Sequence, residues 1–268
     1  MMYNSLAVKN SDLESKMLST WFDEITLPVA PACNMMCNFC SKDCDCICNG
    51  NSPECLSKPM TPKQAVNWAQ TSANKNKRLK IIKISGPGEP LCNSQTFEVL
   101  RRLNLEMPDS IYSLYTNGLQ LDEKADELAR LNVRSVTVSV NAIYPSTIMK
   151  LYSRLIKNSS VVMKSPQMAS ILVESQFKGI KKCMDHGIAV KVSSIYFPGI
   201  NEDDIPAIAY RCREMGIYAM TLLSCYPNGK FVRAAVPSIS ELVSLQHELS
   251  KIVKEVEIKS FIPSYHRG

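Results

Sequence analysis

Six short stretches of the chain are almost continuously apolar and rich in β-branched residues: EITLPVA (24–30), KIIKIS (80–85), SIYSLYT (110–116), SVTVSVN (135–141), AVKVSSIYF (189–197) and YAMTLLS (218–224). Apolar runs of this length without strict alternation are the mark of strands covered on both faces. Between them run segments with helical spacing of apolar positions: 61–75, 94–105, 121–132, 171–187, 201–216 and 238–256. The first opens on Thr61 and Pro62, a cap followed by a first-turn proline, and the fourth stops at Gly187. Strand and helix alternating six times predict parallel strands joined by right-handed crossovers, an open partial (βα)6 barrel of the TIM-like kind. The expected organisation is an N-terminal extension over 1–23, a core barrel over 24–230, and a helix and tail over 231–268 that pack on the barrel.

In such folds chemistry collects where strands end and loops begin. The segments after the predicted strands are PACNMMCNFC (31–40), GPGEPLCN (86–93), NGLQ (117–120) and PGINEDD (198–204), and these share one rim.

Length and charge narrow the choice of function. The 268 residues, 45% of them hydrophobic, suffice for a full core, and the net charge of +6 is spread over helix and loop positions. No aromatic-rich basic stripe accompanies it, so a nucleic-acid partner is not expected. No apolar run approaches the roughly 18 residues of a membrane span, and the N-terminal stretch lacks the apolar core of a secretory signal. The expectation is a cytoplasmic protein without membrane attachment, in which eleven cysteines argue for metal ligation or buried thiols over disulfides.

Seven of the eleven cysteines, Cys33, Cys37, Cys40, Cys44, Cys46, Cys48 and Cys55, fall within 23 residues. Cys33, Cys37 and Cys40 stand in the spacing C-x3-C-x2-C. A structural zinc site takes four ligands, and the CDCIC stretch (44–48) offers further thiols for one. A cubane iron–sulfur cluster also asks for four, so three thiolates from one tight loop leave one iron open to a substrate.

The spacing C-x3-C-x2-C, with Phe39 before the last cysteine and GPGE after the second strand, resembles the radical S-adenosylmethionine (radical SAM) superfamily. The resemblance implies a 4Fe-4S cluster on Cys33, Cys37 and Cys40 whose open iron binds the amino and carboxylate groups of SAM, and reductive cleavage to a 5′-deoxyadenosyl radical. It implies a ferredoxin or flavodoxin as electron donor, and sensitivity to oxygen. It places Phe39 near the adenine and Gly86, Gly88 and Glu89 in the turn for the methionine group. Asn117, Ser139, Asn141 and Ser193 stand at strand ends within reach of the carboxylate or ribose. No catalytic side chain is singled out beyond these.

The motifs LPVAPACNMMCNFC, GPGEPL, YTNGL, VSVNAIYP and VKVSSIYFPGIN together resemble the NifB family of nitrogenase iron-molybdenum cofactor biosynthesis, over about residues 24–230. This implies a role in metallocofactor assembly, in which two 4Fe-4S clusters are substrates and a cluster carrier protein is a partner. The chain departs from that family in its substrate-cluster ligands. It has MLSTWFDE (17–24) before the first strand, Ser113 where a cysteine is expected, and SFIPSYHRG (260–268) at its end. Cys44, Cys46, Cys48, Cys55, Cys92 and Cys225 are the alternative ligands for an additional iron–sulfur cluster. Two further readings stay open: hydrogen abstraction from a peptide or small molecule, and a non-catalytic cluster carrier. Cys183 and Cys212, at core-facing helical positions, read as small buried hydrophobes, and His186, His247 and His266 as surface or structural groups.

Overall fold

The computed structural model describes residues 22–40 and 59–259. Seven parallel strands form one sheet curled into a half-barrel, in the order β1 (Asp23–Pro28), β3 (Leu79–Ser85), β4 (Ile111–Thr116), β5 (Val133–Ser139), β8 (Ala189–Tyr196), β9 (Ala219–Ser224) and β10 (Glu255–Lys259). The expected open barrel is therefore present, extended by one strand. A second, three-stranded antiparallel sheet joins β2 (Met35–Cys37), β6 (Tyr152–Lys157) and β7 (Ser160–Met163).

The helices α1 (Pro62–Lys75), α2 (Ser94–Glu106), α3 (Leu121–Arg130), α5 (Pro166–Asp185), α6 (Asp204–Met215) and α7 (Ile239–Leu249) accompany the main sheet, and the short α4 (Pro145–Leu151) leads into β6. Helix α1 starts with a full capping box, Thr61 and Gln64 each bonding the other's backbone, a device worth about 1 kcal/mol. Gly187 and Gly216 end α5 and α6 with φ near +75° (73° and 77°), where a side chain would be strained.

The main core lies between the outer face of the sheet and the helices. Ile82, Leu114, Val138, Val192 and Leu222 are wholly buried in it. Truncating one of them, such as Leu114→Ala, removes about 2–5 kcal/mol. Cys183 and Cys212 belong to this core, and burial pushes both thiols up to about 12, in keeping with their reading as hydrophobes. A second apolar cluster, including Phe39, Tyr152, Leu155, Ile195, Phe197 and Leu223, caps the strand ends on the β8–β9 side.

Two expectations of local structure are corrected. The stretch 238–256 is not one helix: α7 ends at Leu249, and 255–259 form the edge strand β10, paired in parallel with β9. Residues 152–163, for which no element was expected, form the β6–β7 hairpin, whose half-polar strands carry no periodic signal of their own.

Candidate active site

The first cysteine, Cys33, lies in the loop leaving β1; Cys37 ends β2, and Cys40 follows in the next turn. Cys33 is exposed, while Cys37 and Cys40 are half-buried, and none of the seven described cysteines is in a disulfide. Among the described residues, no three His, Cys, Asp or Glu side chains converge to hold a single metal ion. A cubane does not ask for convergence, since it presents a different iron to each thiolate. Although Cys33 is exposed as a residue, protein crowds its sulfur. That desolvation, with Glu89, Cys92 and Cys40 close by, pushes its thiol up to about 12 against a backbone hydrogen bond at Met35. Binding metal at Cys33 must therefore displace a proton.

Two clamps hold the cysteine segment. On one side the glycine turn after β3 docks directly on it: Gly88 N–H donates to the Ala30 carbonyl (2.6 Å) and Glu89 N–H to the Ala32 carbonyl (2.8 Å). A Cβ on Gly88 would stand 2.1 Å from the Ala32 oxygen, so only glycine permits this approach. Asn93 completes the dock, accepting from Ala32 N–H (3.2 Å) and donating to the Ala32 carbonyl (2.9 Å). The turn's glycine thus serves a backbone-to-backbone contact beside Cys33.

On the other side, β2 pairs with β6, and Asn38 uses every polar group it has. Its N–H donates to the Leu151 carbonyl (2.7 Å), and its carbonyl accepts from Lys230 N–H (2.7 Å). Its side-chain amide donates to the Lys150 carbonyl (2.7 Å) and accepts from the Ser153 hydroxyl. Gly229, at φ +56°, lies so close that a Cβ there would stand 2.7 Å from both the Asn38 and Cys40 carbonyl oxygens. Gly229→Ala is therefore expected to lower iron retention and alter the spectrum of the reconstituted cluster. Gly199→Ala, with φ +74° and open space around it, bears the strain alone and serves as control. Equal behaviour of the two variants would show that the contact with Cys40 does not matter.

Glu89 is buried and anchors the turn to the end of β4. Its carboxylate accepts from Leu91 N–H (3.0 Å), the Thr116 hydroxyl (2.5 Å) and Asn117 N–H (2.6 Å). Burial nonetheless pushes it from 4.5 up to about 7, with those three donors pulling the other way. The folded state thus holds this proton more tightly than the unfolded chain. Its contribution to stability is fully present below pH 4.5, declines as pH rises to about 7, and is level above that. The loss amounts to about 3 kcal/mol. Denaturant unfolding across this window should show the decline in the wild type and a flatter profile in Glu89→Gln; parallel profiles would refute it.

The remaining expected site residues lie at the strand ends, several of them held by the protein itself. Gly86 follows β3 directly and is buried. Asn117 donates its side-chain amide to the Asn34 side chain (2.8 Å) and accepts from Leu119 N–H (3.0 Å). Ser139 and Ser193 face each other across β5 and β8, their hydroxyls 3.4 Å apart. Asn141 donates to the Tyr152 hydroxyl (2.9 Å) and accepts from Ile195 N–H (2.8 Å), so its amide braces the fold. Phe39 is wholly buried, with ring centroids 5.2 Å from Phe197, 5.8 Å from Tyr152 and 6.4 Å from Phe231. That placement seats the residue before Cys40 in the second apolar cluster.

Of the cysteines expected to hold a further cluster, Cys92 directs its thiol to the Ala32 and Glu89 carbonyls (3.4 and 3.3 Å), next to Cys33. Cys225 is enclosed in the second apolar cluster and donates to the Ala235 carbonyl (3.2 Å). Cys44, Cys46, Cys48 and Cys55 lie outside the described residues, as does His266. Asn38, Asn93, Gly229 and Gln176 were not singled out from sequence. Gln176 donates from one amide nitrogen to the carbonyls of Asn117 (2.7 Å) and Ser139 (2.9 Å), tying the ends of β4 and β5 together. The one available signal was a polar residue at a core-facing helical position.

A half-barrel with three cysteines after its first strand, locked to a glycine turn after the next strand of the sheet, defines the class. The chain belongs to the radical SAM superfamily, whose family model matches residues 27–211. Within it the chain is NifB-like. It is 31% identical to the FeMo cofactor biosynthesis protein NifB of Methanocaldococcus jannaschii, over 86% of this chain and 76% of that protein. With NifB of Chlorobaculum tepidum it shares 29% identity over 94% of this chain and 60% of the relative. With NifB of Azotobacter vinelandii the figures are 32%, 89% and 48%. The chain thus spans only about half to three fifths of the length of these two bacterial relatives.

Among solved structures it is similar to methylornithine synthase, with a TM-score of 0.62 at 11% identity, covering 96% of this chain and 72% of that one. A radical SAM methyltransferase from Sphaerobacter thermophilus gives 0.59 at 18% identity, over 88% and 65%. At these identities the likeness is one of fold. No helix among the described residues is long and apolar enough to cross a membrane.

Proposed function

We propose that this chain reductively cleaves SAM at a 4Fe-4S cluster held by Cys33, Cys37 and Cys40, and that it acts, like the NifB proteins it resembles, in the assembly of an iron–sulfur metallocofactor. The observation that carries the cleavage reading is the dock of Gly88 and Glu89 on Ala30 and Ala32, which fixes the glycine turn against the first cysteine. The donor set fits the group: three thiols from one short segment leave one corner of a cubane for a second molecule. When bound and reduced, the cluster supplies the electron that splits the sulfur–carbon bond of SAM.

The chain's own part is holding and shielding. Cys37 is fixed by its strand pairing with β6, and Cys40 by the Asn38 and Gly229 contacts. The wall of Phe39, Phe197 and Phe231 keeps water from the Cys40 side, as a reactive radical demands. Glu89, through Thr116 and Asn117, keeps the glycine turn aligned with the end of β4. A ferredoxin or flavodoxin is the proposed electron donor. The test is anaerobic reconstitution with iron and sulfide, then SAM and dithionite: 5′-deoxyadenosine and methionine should form together. Their absence from protein carrying a reducible 4Fe-4S signal would refute the cleavage reading and leave a carrier of clusters.

A second reading of the substrate is favoured by one observation. Ser113, where the resemblance to the NifB family implies a cysteine, is buried and bonded through its hydroxyl to Ser135 (2.8 Å). A hydroxyl at this position suits an organic substrate better than a cluster.

A further inference from the structure

The three-stranded sheet that carries Cys37 has two faces of different kinds. Residues directly opposite one another in an antiparallel sheet project to the same side. Met35, Leu155 and Val162 line up in this way and pack into the second apolar cluster. The other side sets Met36 opposite Arg154, Arg154 opposite Met163, and Ile156 opposite Val161. The β7 edge of this row is open to solvent, with Val161 57% exposed and Met163 61%.

Cations border the row. Lys164 follows β7 and donates its N–H to the Ser153 carbonyl (3.0 Å), Lys230 reaches the Ser153 hydroxyl (3.3 Å), and Lys150 stands just before the hairpin. With Arg154 they set four positive charges, none paired with a carboxylate among the described residues. The chain supplies no acid locally, since neither 142–173 nor 225–240 contains Asp or Glu. Lys157, also on the hairpin, is turned away to Asp122 and Glu123 on α3 (3.0 and 3.4 Å). Unpaired cations around an exposed apolar row favour an acidic partner.

The position of the face fits its charge. Cys37 pairs with Tyr152 on β6, and the Asn38 carbonyl accepts from Lys230 N–H (2.7 Å). The glycine turn meets the cysteine segment on the other side, at Ala30 and Ala32. Electron transfer weakens steeply with distance through protein, so a surface bonded directly to the segment of Cys37 and Cys40 is a short way in.

We infer that the outer face of the β2–β6–β7 sheet, bordered by Lys150, Lys164 and Lys230, docks an acidic protein that carries single electrons. This rests on the cleavage reading above. One electron leaves the carrier, which is oxidised, and enters the cluster on Cys33, Cys37 and Cys40, which is reduced; no bond forms or breaks in that transfer. Met and Arg are enriched at protein interfaces, and electron-transfer encounters use small ones. A second copy of the chain would set like charges against each other. The row holds no aromatic ring on which a nucleic-acid base could stack.

Binding is tested first, by fluorescence anisotropy with the full chain purified anaerobically, at low salt. The probes are a labelled bacterial flavodoxin and a labelled bacterial two-cluster ferredoxin, both acidic. At least one should bind, with a Kd that rises about tenfold in Arg154→Glu, Lys164→Glu. Lys164→Glu alone, at an exposed position after the strand, should raise it about threefold. Lys77→Glu, Lys178→Glu makes the same charge change at exposed positions outside this sheet and should bind like the wild type. No binding of either carrier, or equal weakening in Lys77→Glu, Lys178→Glu, would overturn the inference. So would a loss confined to labelled RNA or to phosphatidylglycerol vesicles.

The second test is stopped-flow reduction of the reconstituted protein. The rate with the reduced carrier should fall about tenfold in Arg154→Glu, Lys164→Glu, and in the wild type as salt is raised. Reduction by photoreduced 5-deazariboflavin, a small neutral donor, should be the same in all variants. A carrier rate unchanged by the substitutions would refute the docking face. If the carrier reduces the cluster and no 5′-deoxyadenosine forms with SAM, the cleavage reading fails and the docking result stands apart from it.

Discussion

Replacing Cys33, Cys37 and Cys40 together with alanine is expected to leave reconstituted protein unable to form 5′-deoxyadenosine, a complete loss and not a partial one. In the proposed cluster each thiolate would take a separate iron, and the clamps around Asn38 and Gly88 hold the segment in place whether or not the thiols are there. The variant should therefore fold, and its circular dichroism and unfolding midpoint should stay near those of the wild type. Iron and sulfide counts on the same protein then report on the other cysteines. Retention of about four irons would place a further cluster on the remaining thiols and strengthen the metallocofactor reading. Loss of all iron would leave one cluster per chain and favour the organic substrate. Survival of 5′-deoxyadenosine formation would refute the ligand assignment.

Gly88→Ala is expected to be nearly as damaging by a different route. The added carbon would meet the Ala32 carbonyl carbon at 2.5 Å and the Ala30 oxygen at 2.9 Å, backbone atoms that cannot rotate away. Relieving the clash means separating the glycine turn from the segment that carries Cys33. Overpacking of this kind costs about 3 kcal/mol, and it should lower both the unfolding midpoint and the iron retained. Gly187→Ala, where φ is +73° and no atom stands within 4 Å, isolates the backbone-strain component. If Gly88→Ala retained full iron at wild-type stability, the dock would not be what positions the cysteine segment.

Much of the barrel was legible because buried parallel strands must be apolar and their helices must show a periodic face. All six expected strands are present to within two residues at either end. That the segment of Cys33, Cys37 and Cys40 and the turn of Gly88 meet at one rim was legible because spacing and a glycine leave a mark in a short window. What escaped was whatever depended on a distant partner. Strand β10 is too short and too charged to announce itself, and exists because β9 offers it a parallel edge. Asn38 and Asn93 looked like loop asparagines until Lys150, Ser153 and Ala32 were found around them. Asn141, expected at the ligand, also bonds Tyr152 and Ile195, a bracing role that its place at a strand end did not announce.

The clamp on Asn38 also governs when the cluster can be loaded. Its partners at Lys150, Ser153 and Lys230 lie from 112 to nearly 200 residues further along the chain. Contacts of such sequence separation close late in folding, because each demands a large loss of chain entropy. While a ribosome is still making the second half of the barrel, the cysteine segment has neither its hairpin nor its Gly229 turn. Iron delivered then would meet three unplaced thiols, so loading of the proposed cluster belongs after the chain has been made past Lys230.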